Sequence, residues 1–164
     1  MRGDFVLYEG KPGSLVDWTI TRFTHGPYVH VEIDLGNGSF VGEHGAGITV
    51  HPMDVKRKAG FITPISHNGP VGIEAGIQWV EQVIVEEKKN PKAHQYGWLD
   101  IVMDAAKVLG AKITFQKPGA WDCSHFVVLY LQMAGAAAPL GKLVMQPETV
   151  SPNDLARAYK VLQP

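Results

Sequence analysis

The stretch YVHVEIDLGNGS, from Tyr28 to Ser39, restricts the fold more than any other part of this chain. Val29, Val31, Ile33 and Leu35 alternate with His30, Glu32 and Asp34. A period of two marks a strand with one apolar and one polar face. Gly36-Asn37-Gly38 comes next, and Asn-Gly is a preferred pair for a tight hairpin turn. The chain is therefore committed to antiparallel pairing, with Ser39 to Val50 as the returning strand, broken near Gly45-Ala46-Gly47. A two-residue turn makes paired residue numbers sum to an odd value, which puts Glu43 on the face of His30 and Glu32. A three-residue loop reverses the parity and favours His44.

The remaining elements follow from similar signals. Asp4 to Tyr8 reads as a strand ended by the Gly-Pro-rich Glu9 to Gly13, and Gly60 to Ile65 as a further strand. Leu15, Trp18, Ile20 and Phe23 have helical spacing, as do the apolar residues of Gly72 to Lys89 and of Tyr96 to Leu109. Asp122 caps a helix running to Met133, and Ser151, followed by Pro152, opens a last one. Strands first and helices later predict one α+β domain over residues 1–164, an antiparallel β-sheet packed against helices.

A formal net charge of −1, with 19% charged and 45% hydrophobic residues, gives no sign of a nucleic-acid partner. The opening MRGDFVLYEG lacks the pattern of a signal peptide, and no apolar run approaches a membrane span. A soluble chain with no transmembrane segment is expected, cytoplasmic as written, phage-derived or exported by another route.

Cys123 is the single cysteine, so an intramolecular disulfide and a multi-cysteine zinc site are excluded. It falls in the first turn of the helix that Asp122 caps. Unpaired N–H groups there favour a thiolate and can stabilise an oxyanion. It also ends the apolar stripe Phe126, Val127, Tyr130 and Leu131, where a plain core residue would sit. A thiolate needs a base and the base an orienting group. His30, on the polar face of its strand, is the candidate base, with Glu43 to fix its tautomer.

Asp122-Cys123-Ser124-x-Phe126-Val127 resembles the signature around the nucleophile of NlpC-family papain-like cysteine peptidases, and Val29-His30-Val31-Glu32-Ile33 with Gly-Asn-Gly resembles their histidine strand. Here the histidine precedes the cysteine, an order that resembles the circularly permuted YiiX-like branch, related to lecithin:retinol acyltransferase-like enzymes. Gly3 to Leu7, Tyr96-Gly97-Trp98-Leu99 and Ser151-Pro152-Asn153-Asp154-Leu155 resemble further motifs of that branch. The resemblance implies a permuted papain-like fold and a cofactor-free thiol hydrolase. Cys123 would attack an amide or ester carbonyl, His30 would carry the proton, and Glu43 would orient His30. An ungapped match to the unpermuted members puts Gly42 in that third place. Tyr96, Ser124 and Asp122 would serve substrate or oxyanion. His125 stands where the family has glycine, and Val29 where it has serine. The implied substrates are peptide amides of bacterial peptidoglycan, then acyl or lipid substrates, and an acyltransferase would look the same.

Other readings remain open. His125, Glu32 and His44 are secondary site candidates. His30-Val31-Glu32 matches half of a zinc deaminase motif whose Pro-Cys-x-x-Cys half is missing. A binding module with a degenerate site fits the change at His125. A metallohydrolase drawn from His25, His30, Glu43, His44 and His51 is the weaker rival, because the spacing matches no helical zinc motif.

Overall fold

Residues 1–44, 47–90 and 122–161 are described by the computed structural model. Alternating segments become strands β1 (Phe5–Glu9), β2 (Tyr28–Asp34), β3 (Ser39–His44), β4 (Gly47–Pro52) and β5 (Ala59–Ile62). They form one antiparallel sheet in the order β4-β3-β2-β1-β5. Periodic segments become helices α1 (Leu15–Thr24), α2 (Gly69–Lys89), α3 (Cys123–Met133) and α4 (Pro152–Ala158). The α+β expectation holds at this level. The expected helix of Tyr96 to Leu109 lies outside the described residues.

The two faces of the sheet are covered differently. Leu7, Val31, Ile33, Val41 and Ile48 pack against Ile77 and Val80 of α2 and Val127 and Leu131 of α3, making the main core. Each such side chain contributes about 1.5–3 kcal/mol when fully buried. On the other face Val6, Tyr8 and Phe40 form a small cluster with Met53 and Ala59. Among the described residues no helix contributes to that cluster, and polar residues of β2 and β3 share this face.

Two expectations about the sheet are corrected. Ser39 to Val50 is not one broken strand but most of a second hairpin, in which β3 and β4 pair from Ser39↔Pro52 to His44↔Gly47. The first hairpin closes through a three-residue loop, Leu35 N donating to Ser39 O at 2.9 Å, so that Ile33 faces Val41 and Asp34 faces Phe40. Gly36 and Gly38 both have φ near +80°, a region open to glycine at little cost. Asp34 and Asn37 side chains accept from the N–H groups of Gly36 and Ser39 and hold the loop at this length. The even parity moves Glu43 to the helix-covered face and His44 to the face of His30.

The helix caps are as the sequence implies. Asp122 accepts from His125 N at 2.6 Å, and Ser151 and Asp154 form a reciprocal capping box on α4. α1 differs from expectation: its stripe residues Leu15 and Trp18 are exposed and Asp17 is buried, accepting from Lys11 N at 2.7 Å. Among the described residues no single helix is long and apolar enough to cross a membrane.

Candidate functional site

The main concentration of chemistry-bearing side chains described is on the open face of the sheet. Alternation along β2 puts His30 and Glu32 there, and pairing of Tyr8 with His30 stacks the tyrosine ring over the imidazole at 6.1 Å. The even hairpin parity adds His44. The β3–β4 hairpin adds His51, which pairs with Phe40 and therefore shares its face. His44 and His51 lean toward each other across Gly42. A Cβ at Gly42 would sit 2.8 Å from Glu32 Cγ and 3.5 Å from His30 Nε2. The missing side chain is what lets the cluster close.

Three imidazoles converge on one carboxylate oxygen. Glu32 Oε1 is 3.0 Å from His30 Nε2, 3.1 Å from His51 Nε2 and 3.4 Å from His44 Nε2. His44 Nε2 and His51 Nε2 are 2.9 Å apart, and His51 Nδ1 is 2.8 Å from the Pro52 carbonyl. Glu32 is 2% exposed, whereas the side chains of His44 and His51 are 37% and 29% exposed, so the cluster opens to solvent through those two rings. Glu32 Oε2 and the Tyr8 hydroxyl are buried without a hydrogen-bond partner.

The electrostatics follow from burial and crowding. Burial holds the His30 imidazole below its ordinary pKa, against the opposing pull of Glu32, with His44 and Arg57 lowering it further. Burial pushes the Glu32 carboxyl up, but hydrogen bonds from His30 and His44 outweigh it and the carboxyl lies well below the usual range. Burial, then Glu32, drives the Tyr8 phenol well above its ordinary value. Arg57, whose charge contributes to lowering His30, is itself 3.6 Å from both Asp17 and Asp54.

The thiol is elsewhere. Cys123 is the first residue of α3, is partly buried and packs at the margin of the main core. Its surroundings correct the expectation of a lowered pKa. Burial, the adjacent Asp122 carboxylate and Glu43 push the thiol up to about 12, although the Val31 backbone N–H and Ser124 pull the other way. The helix terminus is outweighed by desolvation and by its own capping carboxylate.

The expected triad is thus divided. Cys123 and Glu43 are on the helix-covered side of the sheet. His30 points from the opposite face of β2, bonded to Glu32, and no hydrogen bond joins it to Cys123. Glu43 is 4% exposed and, by the even register of the first hairpin, lies on the face opposite His30. Ser124 is buried in the first turn of α3, and His125 in the same turn has its imidazole pKa lowered by burial, against Glu148. Tyr96 lies outside the described residues. Of the histidine set considered as a metal site, His30, His44 and His51 come together, while His25 caps the C-terminus of α1 and Glu43 faces away. Glu32 supplies the carboxylate instead. Tyr8 carried no chemical signal in the sequence, and Gly42 entered only through the family match, because the part each plays here depends on strand register.

No known family model and no curated protein matches this chain.

Proposed function

We propose that the chain is a hydrolase of an amide or ester carbonyl and that its reaction centre is the cluster of His30, Glu32, His44 and His51. The observation carrying this reading is the approach of three imidazole Nε2 atoms to within 3.4 Å of Glu32 Oε1, on a face that solvent reaches. Neighbouring imidazoles can divide acid and base roles, one taking a proton from water while another supplies a proton to the leaving group. Glu32 holds the rings in orientation and compensates positive charge that develops on them. Water is the nucleophile in this reading, since the imidazole of His30 is bonded to Glu32 and not to the thiol.

A second reading keeps Cys123 as nucleophile within a permuted papain-like fold, acting on peptidoglycan peptides or acyl groups. Two features favour it: the order of the motifs along the chain, and a thiol at the start of α3 with the Val31 N–H directed at it. That reading needs His30 to leave Glu32 or another group to act as base.

A panel of peptide amides, muropeptides, aryl esters and acyl thioesters separates the two. With whichever substrate the wild type cleaves, Cys123→Ser should keep its rate within about twofold. His44→Ala should lose ~10²-fold or more, the scale of general acid–base catalysis. An inactive Cys123→Ser beside an active His44→Ala would establish the thiol enzyme instead.

A further inference from the structure

Counting protons in the cluster leaves one contact unexplained. The Pro52 carbonyl can only accept, so His51 Nδ1, 2.8 Å away, carries the hydrogen. The Nε2 of a neutral His51 then presents a lone pair. That lone pair is 3.1 Å from Glu32 Oε1, itself an acceptor. A hydrogen on His44 Nε2 can serve His51 at 2.9 Å, and one on His30 Nε2 can serve Glu32 at 3.0 Å. Nothing on a neutral ring serves the contact between His51 and Glu32. Two acceptors facing each other at this distance, one of them on the buried Glu32, call for a positive charge between them.

We infer that the positive charge is a divalent transition-metal ion, zinc by ligand chemistry, held by Glu32 with His30, His44 and His51. His30, Glu32 and His44 each offer a ligand atom within 4.8 Å of the others, and His51 Nε2 joins from the side of Glu32 and His44, at 3.1 and 2.9 Å. Ligands of tetrahedral zinc, with bonds of about 2.0–2.1 Å, lie about 3.3 Å apart. The contacts of 3.0–3.4 Å around Glu32 Oε1 bracket that spacing. Imidazole with one carboxylate suits zinc, cobalt or nickel, and not magnesium or calcium, which take oxygen ligands.

Two further features independently point to a ligand. A metal-binding histidine normally donates its second ring N–H to a carbonyl or carboxylate, as His51 does to Pro52. Glu32 Oε2 and the Tyr8 hydroxyl are buried and unpartnered. With Oε1 on a metal, Oε2 is left as an acceptor for the Tyr8 phenol, which Glu32 already influences, making Tyr8 a positioning residue. The exposed edges of His44 and His51 give an ion its way in.

The inference rests on the proposed hydrolase centre and turns its rings from proton carriers into ligands; zinc that expanded to take a water as fifth ligand would supply the nucleophile, and the test does not depend on turnover. The untagged full chain, freed of metal by chelator and dialysis, is titrated with zinc by calorimetry and with cobalt by visible absorption. One equivalent should bind. His44→Ala and His51→Ala should each weaken binding at least about tenfold, and Cys123→Ser should bind like wild type with an unaltered cobalt spectrum. Gly42→Ala should also weaken binding, because its Cβ would push on Glu32. Glu32→Gln is informative if it folds, and the half-exposed histidines decide the matter if it does not. Absence of stoichiometric binding, or equal binding by wild type, His44→Ala and His51→Ala, overturns the inference and assigns the charge to a proton on His51. Zinc binding without hydrolysis of any substrate leaves the metal site standing and removes the proposed activity. Hydrolysis that survives chelation, with no zinc uptake, does the reverse.

Discussion

Replacing Asn153 by alanine should destabilise the protein by about 3–4 kcal/mol, although Asn153 lies on α4, far along the chain from the sheet. Its side chain is wholly buried. Oδ1 accepts from Tyr28 N at 3.0 Å, and Nδ2 donates to Tyr28 O at 2.7 Å and to Thr24 Oγ1 at 2.6 Å. One amide therefore satisfies both backbone groups of the residue that begins β2, two positions before His30. Alanine leaves that N–H and C=O buried without partners, at about 1–3 kcal/mol each. The Thr24 hydroxyl can return to water and adds little. Urea denaturation followed by tryptophan fluorescence measures the change. For an m-value of about 2 kcal/mol/M, the midpoint should fall by on the order of 1.5 M with the slope unchanged. Asn153→Asp should cost at least as much, since it keeps one acceptor, loses both donors and places a charge against the Tyr28 carbonyl. A loss under ~1 kcal/mol for Asn153→Ala would mean that water replaces the amide, and the account of β2 as tethered by α4 would be wrong.

The thiol of Cys123 should be sluggish. With its pKa pushed up to about 12 by burial and Asp122, iodoacetamide at pH 7 should alkylate it on the order of 10³-fold more slowly than a free cysteine. Asp122→Asn should speed the reaction, and alkylation of the wild type at the free-thiol rate would refute the stated environment. The Asp154 carboxyl is raised by burial but lowered more by Ser151 and Arg157, so its pKa in the fold lies below the ordinary value. Its stabilisation is present above the unfolded carboxyl pKa of about 3.9 and fades as pH falls through the depressed value. The Tm advantage of wild type over Asp154→Asn should therefore shrink below about pH 4, and an advantage constant with pH would count against it.

Much of the fold is legible in single residues. Alternation in β2 gives its two faces, and so the pairing of His30 with Glu32 on one side. Asp122, Ser151 and Pro152 mark helix starts because their chemistry is local: a side-chain oxygen meets an N–H three residues on, and a proline needs none. Less legible is anything set by a sum over two segments. Whether Glu43 or His44 joins His30 depends on one residue of loop length, and Gly36-Asn37-Gly38 is compatible with either turn. His51 reaches the cluster only because β3 and β4 are separate strands, whereas a continuous apolar-polar pattern suggested one. The side of β2 on which α3 packs is not written in Asp122-Cys123-Ser124 at all. It follows from the apolar stripe of Val127 and Leu131 seeking Val31 and Ile33, which takes the thiol away from His30.

The three-residue loop also bears on how such a site can change over generations. Amino-acid substitution alters a strand position one side chain at a time, but loss of a single residue between Leu35 and Ser39 would turn over the whole of β3 relative to β2. Glu43 would arrive beside His30, His44 would leave, and Gly42 would no longer clear a space for Glu32. One deletion could thus exchange a histidine-rich centre for a histidine–carboxylate pair while every residue of the strands stayed the same. In a lineage carrying this hairpin, the length of the loop would have to be inherited as strictly as the histidines themselves.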